Sequence, residues 1–253
     1  TPKVLYVDGS KKILDHGVLV MEYLPGHAMD YHTELMLAAP CLADIHSVPI
    51  PESEEILIHP ENPLKAILEE CEEMFKVYLE SPLGDEEKKT YIRELLNLGW
   101  KREAEIRLES GYQCCINTEL NSTNFLINGE GKTNYLIDWE KPLFGNPAQD
   151  LGHFLAPTTT FWKTDVILTK EEIEKFIDAY IKAVENRFKT DMIREHTHAF
   201  IPITCLRGIT WCAMAWVQYQ QPDKLIFNES TFKKLNAYLD MDFLKNIRTY
   251  LES

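Results

Sequence analysis

Three side chains that carry oxygen atoms lie near one another in the middle of the sequence. Glu119 is followed five residues later by Asn124, and Asp138 comes after two short apolar segments. A carboxylate can orient or deprotonate a hydroxyl group, and amide and carboxylate oxygens are hard ligands that suit Mg²⁺. A carboxylate followed by two candidate metal ligands is typical of a phosphoryl-transfer site. We therefore predict that Glu119, Asn124 and Asp138 are catalytic and that Asn124 and Asp138 bind the metal.

A predicted β-hairpin separates the two candidate metal ligands. Residues 125–128 and 134–138 are rich in strand-forming side chains, and the glycine-containing segment 129–132 forms the turn between them. Isolated Asn and Asp residues more often mark turns than sites. Here the order, the spacing and the alternating strands favour a site, and the glycines are interpreted as turn formers.

The segment 117–140 resembles the aminoglycoside phosphotransferase family, relatives of choline, homoserine and methylthioribose kinases with a protein-kinase-like fold. The family's H-G-D-L-x-x-x-N motif is N-T-E-L-N-S-T-N at residues 117–124, and its I-D-W/F/P-E ending is I-D-W-E at residues 137–140. Residues 145–152, G-N-P-A-Q-D-L-G, resemble the family's G-D-P-x-x-D-L-A. The resemblance implies that Asp150 braces the catalytic loop from the start of a helix. His46, in a segment similar to L-A-x-L-H-S, is expected to be structural.

The N-terminal region is similar to the nucleotide-binding hinge of these kinases. Residues 3–8 and 17–26 form two β-rich runs, and the second ends in Pro25-Gly26. The resemblance implies that extended backbone at the hinge binds the edge of adenine and that apolar side chains beside each metal-ligand position cover its lower face. The implied cofactor-binding residues are Met21, Glu22, Tyr23, Leu24, Leu126 and Ile137.

These patterns predict an α+β, protein-kinase-like fold that is mostly the helical C-terminal lobe. Residues 1–26 are the expected end of the N-terminal lobe with the hinge, and residues 27–253 the C-terminal lobe, with the catalytic loop and metal-binding hairpin at 113–140. Helical periodicity indicates helices in the ranges 62–110, 169–184, 191–220 and 230–251. Four aromatic residues of the region after Asp150 could line a substrate pocket, although packing is the favoured interpretation for each: Trp162, Trp211, Trp216 and Tyr219.

The composition indicates a globular, acidic protein. The chain of 253 residues has 45% hydrophobic residues and a formal net charge of −14. This charge argues against nucleic acids and anionic membranes as partners. It would suit a cationic substrate, although solubility is the simpler explanation. The six cysteines include no C-x-x-C pair, which favours reduced thiols in a cytoplasmic protein. The apolar run 201–217 contains Pro202 and Arg207, so we interpret it as a core helix.

Two departures from the family pattern affect the expected activity. No G-x-G-x-x-G segment and no strand lysine precede the hinge, so the chain as given is expected to bind nucleotide poorly and to be weakly active or inactive. Glu119 replaces the family's Asp, and the additional methylene moves the carboxylate by about 1 Å, which can cost about 100-fold in rate. Asn117 replaces the motif's His and can still hold the loop through hydrogen bonds.

The sequence therefore predicts a phosphotransferase that uses ATP or GTP with Mg²⁺. It would transfer the γ-phosphate to a hydroxyl of a small molecule such as an aminoglycoside, a sugar or an amino alcohol. The alternative is a catalytically impaired, kinase-like binding module. The intact Asn124 and Asp138 favour the enzyme, while the replaced Asp and His favour the module. The acceptor, the nucleotide and the oligomeric state stay open.

Overall fold

The structure, a computed structural model, describes residues 1–50, 57–108, 111–221 and 227–253. It begins with an antiparallel pair of strands, β1 (Val4–Asp8) and β2 (Val18–Met21). Both segments are rich in β-branched and large apolar side chains, which favour extended backbone. The two predicted N-terminal strands are therefore confirmed, and β2 leads directly into the irregular segment 22–26, where we placed the hinge.

The predicted hairpin is part of a small antiparallel sheet. Strand β3 (His27–Ala28) pairs with β5 (Phe125–Ile127), which pairs with β6 (Tyr135–Leu136). A second antiparallel pair joins β4 (Cys114–Ile116) to β7 (Leu143–Gly145). The prediction that Asp138 ends the return strand is wrong by two residues. The backbone of Asp138 has a φ of 66°, a left-handed conformation that does not continue a strand.

In the described residues before the catalytic loop the helices are α1 (Leu35–His46), α2 (Pro63–Glu80) and α3 (Glu86–Glu105). The predicted start of α2 is confirmed, with Pro63 in the first turn and the side chain of Asn62 accepting a hydrogen bond from the Lys65 amide. The last two positions of the helical range predicted to reach residue 110 lie outside the described residues.

The region after the loop is helical, as predicted. Its helices are α4 (Pro147–Leu155), α5 (Pro157–Thr164), α6 (Lys170–Val184), α7 (Ile193–Tyr219), α8 (Glu229–Tyr238) and α9 (Met241–Glu252). The predicted capping box of Thr169 and Glu172 opens α6. The stretch 230–251 is two helices rather than one, because Asp240 accepts a hydrogen bond from the Asp242 amide and caps α9.

Helix α7 lies at the centre of the core and packs on both α2 and α4. It is long and apolar enough to cross a membrane, with a mean hydropathy of 1.4, but 72% of the apolar window is buried inside the protein. This burial supports the core helix that we predicted from the sequence.

Gly152 allows α4 to approach α7 closely. A β-carbon at this position would lie 2.4 Å from Cβ of Phe200 and 3.2 Å from the Ile201 backbone nitrogen. The second of these atoms is backbone and cannot rotate away. The short distance between α4 and α7 therefore requires a residue without a side chain at position 152. The position of Asp150, which lies on α4, depends on the same close contact.

We predict that Gly152→Ala lowers the free energy of unfolding by about 2 kcal/mol, because the new methyl group overpacks the α4–α7 contact. Urea denaturation checks this value. Gly9→Ala is the matched control, since a β-carbon there meets no atom within 4 Å. Equal midpoints for the two variants would contradict the assigned role of Gly152.

Candidate active site

A buried carboxylate holds the loop that carries Glu119. Asp150 is 0% exposed, and its Oδ2 and Oδ1 accept hydrogen bonds from the backbone amides of Asn117 at 2.8 Å and Thr118 at 2.7 Å. Nε2 of His46 lies 3.2 Å from Asp150 Oδ2, and Nδ1 of His46 lies 2.8 Å from the Tyr180 hydroxyl. The predicted bracing role of Asp150 and the structural role of His46 are thus confirmed.

Thr118 has a backbone conformation that β-branched residues rarely adopt. Its φ is 67°, at the position where the family motif has glycine. The Asp150 carboxylate binds its amide, and its hydroxyl donates to the carbonyl oxygen of Lys141 at 3.1 Å. These bonds compensate for a backbone strain on the order of 1–3 kcal/mol.

Asn117 connects the catalytic loop to the hairpin. Its Nδ2 donates to the carbonyl oxygen of Asp138 at 2.8 Å, and its Oδ1 accepts from the amide of Glu119 at 3.0 Å. The expectation that Asn117 still holds the loop in place of histidine is confirmed.

The structure brings the three predicted catalytic residues into one region, but they do not all line one cavity. Nδ2 of Asn124 donates to the carbonyl oxygen of Glu119 at 2.9 Å, and Asp138 is joined to the same loop through Asn117. The Glu119 side chain borders a cavity of about 370 Å³. Asn124 and Asp138 are not among the described residues that border this cavity.

The chemistry of Asn124 and Asp138 fits a magnesium ion. Because the Asn124 amide nitrogen is bonded to Glu119, its Oδ1 is the atom available for a cation. Asp138 is exposed, and no described residue donates a hydrogen bond to its carboxylate. No group of three or more His, Cys, Asp or Glu in the described residues could hold a metal. Phosphate and water oxygens would have to complete the coordination.

The predicted hinge lies against β5. Gly26 has a φ of 132°, and a β-carbon there would lie 2.9 Å from Cβ of Leu126. Leu24 is buried, while the Tyr23 side chain is 93% exposed and Met21 is exposed at the end of β2.

Two backbone amides of the predicted nucleotide-binding residues already donate hydrogen bonds within the protein. The Glu22 amide donates to the carbonyl oxygen of Lys3 at 2.9 Å, and the Ile137 amide donates to that of Asn124 at 2.9 Å. The roles of Met21 to Leu24, Leu126 and Ile137 in nucleotide binding stay predictions.

Two tryptophans for which we favoured packing lie on the wall of the 370 Å³ cavity. Trp162 on α5 and Trp211 on α7 meet edge to face with ring centroids 5.3 Å apart, and Trp211 is 41% exposed. Trp216 and Tyr219 are not among the described residues of this wall. Helical periodicity alone could not show which of the four aromatic residues line the cavity, because the cavity forms only where α5 and α7 converge.

The cavity wall also carries charged residues and a histidine that were not predicted from the sequence as site residues, among them Lys141. The others are Glu70, Glu140, His153 and Arg207. Their signal in the sequence is weak, since each lies in or beside an element whose other residues form the core. Burial, followed by the nearby positive charge of Arg207, lowers the pKa of His153 to about 4. His153 is therefore neutral at pH 7, and the wall carries three carboxylates, of Glu70, Glu119 and Glu140, against the two cations Lys141 and Arg207.

Comparison with known proteins identifies one matching family and several solved structures with a similar fold. The sequence profile of the phosphotransferase enzyme family (APH) matches residues 1–194. No curated protein sequence matches the chain.

Solved structures similar to this chain include the ethanolamine kinase of Plasmodium vivax, with a TM-score of 0.61 and 15% identity over 99% of this chain and 69% of that one. A choline kinase from Cryptosporidium parvum has a TM-score of 0.63 and 12% identity over 93% and 71%. A spectinomycin phosphotransferase, in complex with ADP and spectinomycin, has a TM-score of 0.63 and 15% identity over 95% and 73%. These likenesses confirm the predicted α+β, protein-kinase-like fold.

We predict that His153→Gln makes stability less sensitive to acid. The pKa of His153 is lower in the folded protein than the ordinary value of 6.5. Between pH 6.5 and 4 the unfolded chain therefore binds a proton that the folded protein does not, and the unfolding free energy falls as pH falls. The contribution is about 1.4 kcal/mol per pH unit, or about 3 kcal/mol in all.

Urea denaturation at pH 7, 5.5 and 4 measures this contribution. The wild type should lose about 3 kcal/mol more than His153→Gln over that interval. His16→Gln, a change of an exposed histidine, is the matched control. If the wild type and His153→Gln lose stability in parallel, the proposed neutral state of His153 is wrong.

We predict that Asp150→Ala lowers the unfolding free energy by about 3 kcal/mol or more, because it leaves the amides of Asn117 and Thr118 buried without their acceptor. Asp191→Ala removes an exposed aspartate and should change it by less than about 0.5 kcal/mol. Calorimetry compares the two. A small, equal effect of both substitutions would show that Asp150 does not brace the loop.

Proposed function

The chain belongs to the phosphotransferase enzyme family, and from this premise we propose that it transfers the γ-phosphate of a nucleoside triphosphate to a hydroxyl group of a small molecule, with Mg²⁺. The observation that carries the proposal is the Glu119 carboxylate on the wall of a 370 Å³ cavity, on a loop that also holds Asn124 and is tied to Asp138. A cavity of this size suits a small acceptor.

In this proposal Glu119 binds the hydroxyl of the acceptor and orients it toward the phosphate. In phosphoryl transfer the protein contributes mainly by positioning the reactants and stabilising charge. A carboxylate oxygen within hydrogen-bond distance of the hydroxyl can also accept its proton as the new P–O bond forms. The side chain lies on a braced loop, so its backbone needs no reorganisation when the acceptor binds.

Asn124 and Asp138 would hold the magnesium ion against the phosphates of the nucleotide. The ion, when bound, neutralises phosphate charge during transfer. Met21 to Leu24 would bind the adenine edge through the hinge backbone, with Leu126 and Ile137 below the ring. The ADP in the solved structure of spectinomycin phosphotransferase supports nucleotide use, whereas the choice between ATP and GTP stays open.

We propose that the acceptor carries a positive charge near its hydroxyl, as an amino alcohol or an aminosugar does. The cavity wall combines the carboxylates of Glu70, Glu119 and Glu140 with the aromatic rings of Trp162 and Trp211. Aromatic faces and carboxylates both attract cations. The three carboxylates outnumber the two cations of the wall, Lys141 and Arg207, and His153 is neutral. Ethanolamine kinase, choline kinase and spectinomycin phosphotransferase among the similar structures support this substrate class.

The second candidate function is the catalytically impaired binding module. The observation in its favour is the ion pair between Glu119 Oε1 and Arg207 Nη2 at 3.1 Å, which engages one oxygen of the proposed acceptor-binding carboxylate. A thermal-shift measurement on the intact protein separates the two functions. Stabilisation by ATP that requires Mg²⁺ supports the enzyme, and indifference to both supports the module. The weak activity expected for this chain stays a prediction.

We predict that Glu119→Gln lowers phosphate transfer by about 100-fold or more, because the amide cannot accept the hydroxyl proton and orients the hydroxyl less well. Nucleotide affinity should stay within about threefold, since the hinge and the metal ligands are unchanged. A coupled ADP-release assay measures transfer, and calorimetric titration measures affinity. Glu130→Gln, in the exposed hairpin turn, is the matched control. Wild-type turnover by Glu119→Gln would refute the assigned role.

We predict that Trp211→Ala raises the acceptor KM about 10-fold for a cationic amino alcohol, because it removes an aromatic face that contributes about 1–2 kcal/mol to cation binding. Trp211→Phe keeps an aromatic face and should lie near the wild type. Steady-state kinetics with ethanolamine and with uncharged ethylene glycol as acceptors make the comparison. Equal losses for both acceptors would argue against cation recognition by this residue.

A further inference from the structure

Arg207 lies on α7 between two neighbouring cavities. The first is the 370 Å³ cavity that Glu119 borders, and the second, of about 180 Å³, lies beside the start of α2 and is walled by apolar residues that include Ile67 and Leu143. Glu70, His153 and Arg207 border both cavities. The side chain of Arg207 therefore forms part of the partition beside the proposed acceptor.

The guanidinium of Arg207 is held by two carboxylates from different parts of the chain. Its Nε and Nη2 donate to Glu70 on α2 at 2.8 and 3.5 Å, and Nη2 also donates to Glu119 Oε1 at 3.1 Å. Burial by itself would lower the pKa of Arg207, but the hydrogen bonds and charges of Glu70 and Glu119 raise it above its ordinary value. The side chain is 22% exposed and stays charged, so the ion pair is less screened than a surface pair.

We propose that Arg207 is a positioning residue, which fixes Oε1 of Glu119 so that Oε2 is presented to the acceptor hydroxyl. The inference rests on the proposed function. No described residue donates a hydrogen bond to Oε2, which leaves that oxygen for the acceptor. Glu70 binds Nε and Nη2 of the same guanidinium, and because this group is planar and rigid, the Glu70 contact fixes the Nη2 that binds Glu119.

The length of Glu119 explains why such a residue is required. A glutamate has one more rotatable bond than the aspartate of the family motif, so its carboxylate is less well defined by the backbone. The additional methylene also lets the carboxylate reach Arg207 on α7. An aspartate at this position would be shorter by about 1 Å or more and would lose the 3.1 Å contact. Arg207 and the glutamate therefore act together, and Arg207 should lose its influence when residue 119 is an aspartate.

A double-mutant cycle in the intact protein tests the proposal. The assay uses Mg-ATP and whichever of ethanolamine, choline or spectinomycin gives the highest turnover. Arg207→Gln should lower kcat by about 10- to 100-fold, with the KM for ATP within twofold, because misplacement of a catalytic group by about 1 Å can cost about 100-fold. In the Glu119→Asp background the same substitution should change kcat by less than about threefold.

Two further variants separate positioning from a merely structural role. Arg207→Lys keeps the charge and should recover part of kcat. Glu70→Gln removes the anchor but leaves the Arg207–Glu119 bond, so it should lower kcat by less than about fivefold. If Arg207 were only structural, Arg207→Gln and Glu70→Gln would lower kcat in parallel with melting temperature.

The outcomes distinguish the two proposals. An active wild type in which Arg207→Gln has the same effect with Glu119 and with Asp at position 119, or no effect in either, overturns the positioning role alone. If Arg207→Gln does not fold, an unchanged kcat for Arg207→Lys in both backgrounds overturns it equally. A wild type that transfers no phosphate to any of the acceptors overturns the proposed function, and the positioning role with it.

Discussion

The carboxylate of Asp150 is the contact on which the geometry of the site depends. It is fully buried, it accepts hydrogen bonds from the backbone amides of Asn117 and Thr118, and it lies beside the ring of His46. A buried carboxylate is tolerated only when several donors bind it, and here two backbone donors and an imidazole do so. These bonds hold Thr118 in a left-handed conformation that threonine does not favour, and that conformation sets the direction in which the chain leads to Glu119.

The rest of the structure positions this carboxylate and uses the loop that it holds. Gly152 lets α4 lie against α7, so the helix that carries Asp150 is fixed to the core. The side chain of Asn117 then connects the braced loop to the backbone of Asp138. The side chain of Asn124 donates to the backbone carbonyl oxygen of Glu119. Helix α7 returns to the same loop through Arg207 and adds Trp211 to the cavity wall. The proposed acceptor, the proposed metal ligands and the core are therefore coupled through a short series of hydrogen bonds.

The sequence predicted what local patterns and motifs determine. The hairpin, the start of α2, the capping box of α6 and the bracing role of Asp150 are each set by residues close together in the chain or by a spaced motif. The cavity was not predictable, because Trp162, Trp211 and Arg207 meet only after α5 and α7 pack. A helical pattern shows that such residues share a face but not which face borders a cavity. The left-handed backbone of Asp138 and the break at Asp240 were missed because both depend on a single residue's local geometry.

The central claim is that Glu119, Asn124 and Asp138 surround one site of phosphate transfer. The most direct measurement is a crystal structure of the intact protein with Mg²⁺ and a non-hydrolysable ATP analogue. We expect a magnesium ion about 2.1 Å from oxygens of Asn124 and Asp138, with the terminal phosphate directed at the cavity that Glu119 borders. A nucleotide bound elsewhere, or a terminal phosphate directed away from Glu119, would contradict it.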